Sequence, residues 1–106
     1  MAAVFTNATA AGVGITEMTI YTAAAKAILV GCNAANTVDT TLPFTLSLKR
    51  GASITHIAKS KRVAAGDSYE VMKGNKIVIL PGDSIVATAG EDASFDVILS
   101  LLEGVA

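Results

Sequence analysis

The sequence predicts a single all-β domain: an antiparallel β-sandwich, jelly-roll or immunoglobulin-like in order, of about eight short strands with a flexible N-terminal arm. Three observations predict it. Between residues 42 and 102 apolar and polar residues alternate in short runs, the period of strands with one buried face. Each run ends in a Gly, Asn or Asp turn. The helical stretches that βαβ units would need between strands are missing from the pattern.

Taken in order, residues 1–14 are rich in Ala, Thr and Gly without a sustained period, so they read as an arm or a loosely paired edge segment, and residues 15–106 as the sandwich domain. Residues 15–22, rich in Thr, Ile and Tyr, form the first expected strand. Ala23-Ala24-Ala25-Lys26 is too short to hold a helix and is a connector. Residues 27–34 are a strand with Ile28, Val30 and Cys32 expected on one face and Leu29 and Gly31 on the other, followed by a polar loop over 33–41. The clearest alternation sets Leu42, Phe44, Leu46 and Leu48 against Pro43, Thr45, Ser47 and Lys49, with Pro43 near the strand start, where proline is tolerated. A turn at residues 50–53 joins this strand to 54–59 as a hairpin. Strands follow at 69–72, 76–80 and 85–89, separated by turns. Gly66-Asp67-Ser68 recurs as Gly82-Asp83-Ser84, and Pro81-Gly82 fits a type II turn. The last strand places Phe95, Val97, Leu99 and Leu101 opposite Asp96, Ile98, Ser100 and Leu102.

Chain length and composition set the class. One hundred and six residues suit one domain that buries about two-thirds of its unfolded surface. With 52% hydrophobic and 16% charged residues the chain is not of disordered type, and a mean hydropathy of +0.57 implies apolar surface covered by neighbours. Homo-oligomerisation or docking supplies that cover. No apolar run approaches the roughly 18 to 20 residues of a membrane-spanning helix and the N-terminus has no signal-peptide pattern, so a soluble chain without membrane contact is expected.

The residues offer little chemistry. The repeated Gly-Asp-Ser turns precede strands, unlike a phosphate loop feeding a helix. A serine nucleophile needs a base, and the one histidine, His56, lies inside a strand, sharing a face with Ile54 and Ala58. Glu91 and Asp92 are turn neighbours, and Asp67 and Asp83 sit where Asp caps its own backbone. Cys32 is alone, so it makes no internal disulfide and completes no zinc site; it reads as a small buried hydrophobe rather than an intersubunit link. No catalytic, cofactor or metal residues are assigned, and the chain is read as non-enzymatic.

Charge is uneven although the net charge is only −1. Residues 49–76 carry Lys49, Arg50, Lys59, Lys61, Arg62, Lys73 and Lys76 against Asp67 and Glu70, whereas residues 77–106 carry only the acidic Asp83, Glu91, Asp92, Asp96 and Glu103. Two readings stay open: copies pack head to tail or dock on an oppositely charged lattice, or neighbouring strands pair these charges within one chain. Nucleic acid is disfavoured because the aromatics fall in apolar alternation instead of beside basic residues. The candidate contact residues are Phe5 in the arm and Lys49, Arg50, Lys59, Lys61 and Arg62 in the basic strands, with the arm adding a strand to a neighbour.

The succession Ile20-Tyr21-Thr22, residues 28–36, residues 76–85 and residues 95–100 resembles small β-sandwich structural proteins of tailed bacteriophages, over roughly residues 18–103. That resemblance implies a virion protein, assembled in the host cytoplasm, that binds the major capsid protein as a decoration or cement protein in many copies. The alternatives are a neck, tail or baseplate accessory protein, or a receptor- or carbohydrate-binding module. The last is weakened by the absence of Trp and the presence of only two Tyr for sugar stacking.

Overall fold

The computed structural model describes residues 3–105, so Met1 and Ala2 of the expected arm and Ala106 of the expected domain lie outside the described residues. Among the described residues nine strands are present: β1 (Val4–Val13), β2 (Met18–Thr22), β3 (Ala27–Asn36), β4 (Leu42–Arg50), β5 (Ser53–Val63), β6 (Ser68–Glu70), β7 (Ile77–Ile79), β8 (Ser84–Ala89) and β9 (Phe95–Glu103). They form two antiparallel sheets. The larger has the order β1-β9-β3-β6, with β7 also pairing β3, and the smaller has the order β2-β8-β4-β5. Consecutive strands mostly change sheet, and the chain ends meet as β1 beside β9. This is jelly-roll order, which resolves the choice left open by the alternation.

The inner faces carry the alternating apolar residues. Phe95, Val97, Leu99 and Leu101 of β9 face Leu42, Phe44 and Leu46 of β4, all buried. At the centre the Phe44 and Phe95 rings stack between the sheets at 5.0 Å and 28°, a contact worth about 0.5–1.5 kcal/mol beyond area burial. All buried side-chain polar atoms among the described residues are hydrogen-bonded.

Four elements differ from expectation. Residues 4–13, expected as an arm or a loosely paired edge segment, are a ten-residue edge strand laddered along β9 of the same chain, from Val4 opposite Glu103 to Val13 opposite Phe95. In β3, a register shift between Leu29 and Gly31 against β9 turns both Leu29 and Cys32 inward, so the single-face assignment of Ile28, Val30 and Cys32 is corrected. The same strand continues to Asn36, where a polar loop was expected, because β9 and β6 both pair with residues 33–35. The hairpin strand β5 runs on to Val63, past a break at Ser60, whose φ is +52°.

The strand expected over 69–72 ends at Glu70. There Glu70 Oε2 accepts the amides of Cys32 at 2.9 Å and Met72 at 3.1 Å, and Val71 N donates to Cys32 O at 2.8 Å. A carboxylate thus satisfies backbone donors between β6 and β7, opposite the β3 bulge.

The two Gly-Asp-Ser turns are built alike. Asp67 N donates to Ala64 O and Asp83 N to Leu80 O, both at 3.0 Å, and the glycine two residues into each turn has positive φ, +72° at Gly66 and +90° at Gly82. Each Asp carboxylate also accepts a local amide, Ser68 N for Asp67 and Leu80 N for Asp83.

Candidate interaction surface

Register places the outward side chains of the larger sheet in rows. Phe5 of β1 lies opposite Leu102 of β9, Leu102 opposite Ile28 of β3, and Ile28 opposite Val78 of β7. Their sequence neighbours Leu101, Leu29 and Ile79 fill the core, so these four point outward. The result is an apolar row across four adjacent strands, about 14 Å long at the usual strand spacing. Its ends are open, with Phe5 74% and Val78 51% exposed. Further along β9, Ile98 is also exposed, but it stands apart from the row, between Thr9 and Asn33 and beyond the polar Asn7–Ser100 pair. Of the expected contact residues only Phe5 belongs to this row. The other three were hidden because their strands alternate in two senses: once Leu101 and Leu29 are assigned inward, the partners left outside are also apolar.

The basic candidates separate into two groups. Arg50 is held by Asp83, with Nε 2.9 Å from Oδ2 and Nη2 2.6 Å from the same oxygen. The Asp83 carboxylate is nearly buried, and the Arg50 bonds hold it below the usual carboxylate range against the opposing pull of burial. Arg50 is thus a structural clamp between the β4–β5 turn and the second Gly-Asp-Ser turn. Lys49 meets Glu17 at 3.1 Å with both side chains substantially exposed, a pair of small energetic weight. Lys59, Lys61 and Arg62 are exposed on β5. Among the described residues the ion pairs are Lys49–Glu17 and Arg50–Asp83. The uneven charge of the sequence is therefore closed internally at Arg50–Asp83, while the β5 cations stay at the surface.

These cations mark one flank of the sandwich, where β5 and β6 end the two sheets. Lys61 Nζ lies 4.8 Å and Lys73 Nζ 5.1 Å from the Tyr69 ring centroid, tying β5 and the β6–β7 turn together by cation–π contact. The opposite flank is ended by β1 and β2, whose residues carry no charge. Carboxylates gather around it: Asp96 Oδ1 accepts Gly12 N at 3.0 Å, Asp92 Oδ1 accepts Ile15 N at 3.3 Å, and the Tyr21 hydroxyl donates to Glu103. Burial first, and then Glu103, push the Tyr21 hydroxyl up to about 12.

His56 lies on the exposed face of the smaller sheet opposite Ser47, and Ser47 Oγ contacts His56 Nδ1 at 2.7 Å. The pair stitches the β4–β5 hairpin across its register position. It borders a shallow groove of about 190 Å³ that also takes in Glu17, Thr45, Lys59 and Thr88. The Cys32 thiol is 1% exposed, and burial, helped by the Glu70 charge, pushes it up to about 12.

No family model and no curated protein matches the chain. Among solved structures it is similar to a protein of Bacillus endospore appendages, described as a novel family of disulfide-linked pili. That match has 15% identity and a TM-score of 0.56, over 94% of this chain and 86% of that one. It is also similar to a chain of infectious bursal disease virus, Gx strain, with 13% identity and a TM-score of 0.56, over 100% of this chain and 35% of that one. This chain spans about a third of the viral chain's length. At such identities the likeness concerns the fold.

Proposed function

We propose that this chain is a non-enzymatic structural subunit that works in many copies, as a decoration or cement protein bound to the major capsid shell of a tailed phage. The observation that carries the reading is the apolar row Phe5–Leu102–Ile28–Val78 on the outer face of the larger sheet, an area whose exposure makes sense when a neighbouring protein covers it. A decorating subunit needs no reaction: modest contacts repeated over a shell add up through multivalency. Neck, tail or baseplate positions use the same kind of surface at lower copy number. The structural neighbours, one from a virus and one from a pilus, support a role in assemblies.

A second reading, a subunit of a surface appendage, is favoured by the near-complete mutual coverage with the endospore appendage protein. Disulfide linkage of the kind named for those pili does not suit Cys32, which is buried and poorly ionised. The test is the composition of gradient-purified particles from the source of this chain. Comigration with the major shell protein supports the decoration reading, whereas recovery in sheared surface filaments overturns it in favour of the appendage.

A further inference from the structure

We infer that copies of this chain join side by side through two different sheet edges, the uncharged β1 edge of one copy adding to the basic β5 edge of the next. The inference rests on the multi-copy reading above and deepens it by naming the contact between copies. β1 and β5 are the long edge strands, ten and eleven residues, and each pairs with one strand of its own chain, β9 and β4. The other edges, β2, β6 and β7, run five, three and three residues. A long edge exposes a row of unpaired N–H and C=O groups and normally carries charges, proline or a bulge to keep other chains away.

β5 is guarded in this way, by Lys59, Lys61 and Arg62 and by the break at Ser60, whose amide turns back to Thr45 Oγ1 at 2.9 Å. β1 has no charged residue and no proline; its one irregularity lies near the end, between Ala10 and Val13. Two β5 edges repel each other, so self-pairing there is selected against. A β1 edge meets no charge repulsion on β5, leaving only the break at Ser60 to interrupt the ladder, and its surroundings attract: Asp92 and Asp96 sit at its Gly12–Ile15 end. With the two strands running the same way, those carboxylates come beside Lys59–Arg62. Because the joined surfaces differ, the contact is heterologous and repeats, giving rings or filaments instead of a closed dimer.

The experiment uses sedimentation velocity on the wild-type chain and two blocked forms. Thr9→Lys puts a guarding cation on the exposed outer face of β1, with Ala11→Lys as the alternative if that form misfolds. Lys59→Glu/Lys61→Glu/Arg62→Glu reverses the β5 edge, and circular dichroism checks that each form is folded. Wild type is expected to form species beyond a dimer that weaken with salt, each blocked form to associate about tenfold or more weaker, and the two blocked forms mixed one to one to associate again through their live edges. The mixed pair has one live β1 edge and one live β5 edge. A β5-reversed form that still dimerises alone would mean that β1 pairs with β1, and a Thr9→Lys form that still dimerises would mean that β1 is not the edge used; either overturns the inference. A wild type that stays monomeric at all concentrations overturns it too, whereas the decoration reading stands or falls separately, on the composition of the particles.

Discussion

At the scale of single residues, the chemistry expected to sit at an interface proved to be divided between structure and surface. Arg50 stood among the basic contact candidates, with pairing inside the chain left open, because sequence spacing gives no account of what folds back onto it; Asp83, thirty-three positions later, comes from the β7–β8 turn that links the two sheets. The Asp83 role in its turn was legible, since Gly-Asp-Ser after proline specifies the geometry locally. Its ion pair was not, being a long-range contact. The pair makes a pH prediction. Arg50 holds the folded Asp83 below its unfolded value of about 3.9, so the stability it gives is present above that value and is lost as pH falls through the lower folded value. Asp83→Asn, which keeps an oxygen to accept Leu80 N, should lower the melting temperature at neutral pH and flatten the acid limb of a melting series between pH 7 and 2; parallel limbs for both proteins would show that the pair carries no such linkage. Cys32 makes a second: with its thiol buried and pushed up to about 12, it should react with a thiol reagent at pH 8 only after unfolding in denaturant.

At the scale of elements, strands with strict alternation were legible and strands with bulges were not. β4 and β9 read correctly because Leu42, Phe44 and Leu46 and Phe95 through Leu101 keep a period of two without interruption. β3 misled because one extra residue near Gly31 swaps the inward face midway, a device to which glycine in a strand is a clue but not a location. β1 lacked any signal of its own: Ala8 and Ala10 are only partly buried inner-face residues, and the strand exists because β9 offers it a ladder. Two tests belong here. Phe44→Ala empties half of the inter-sheet stack and should cost about 3–5 kcal/mol in denaturant unfolding. Gly90→Ala would set a Cβ 2.6 Å from Pro43 Cδ, where Gly90 N meets Pro43 O at 3.1 Å. That crowding of the β8 end against the start of β4 should cost about 1–3 kcal/mol in the same assay, and an unchanged midpoint would show that the two segments part freely.

At the scale of the whole molecule, the sandwich class followed from the number and spacing of short alternating runs, while the jelly-roll order did not, because strand pairing is decided by contacts between distant segments. The surfaces were legible in part: a hydropathic chain with segregated charge pointed to an apolar area and unlike flanks, with pairing of those charges inside the chain left open. Their positions needed the register, which lines up Phe5, Leu102, Ile28 and Val78 and sends the β5 cations to the flank away from β1. The proposed role uses these surfaces in one arrangement, the apolar outer face against a larger assembly and the unlike edges against sister copies. The most direct measurement is the copy number of this chain on gradient-purified particles, by mass spectrometry against the major shell protein, for the wild type and for Phe5→Ser/Val78→Ser. Both substitutions lie at exposed positions, so the fold should persist. Hundreds of wild-type copies per particle and a severe loss for the variant are the predicted result; a chain absent from particles, or a variant retained at the wild-type level, would contradict it.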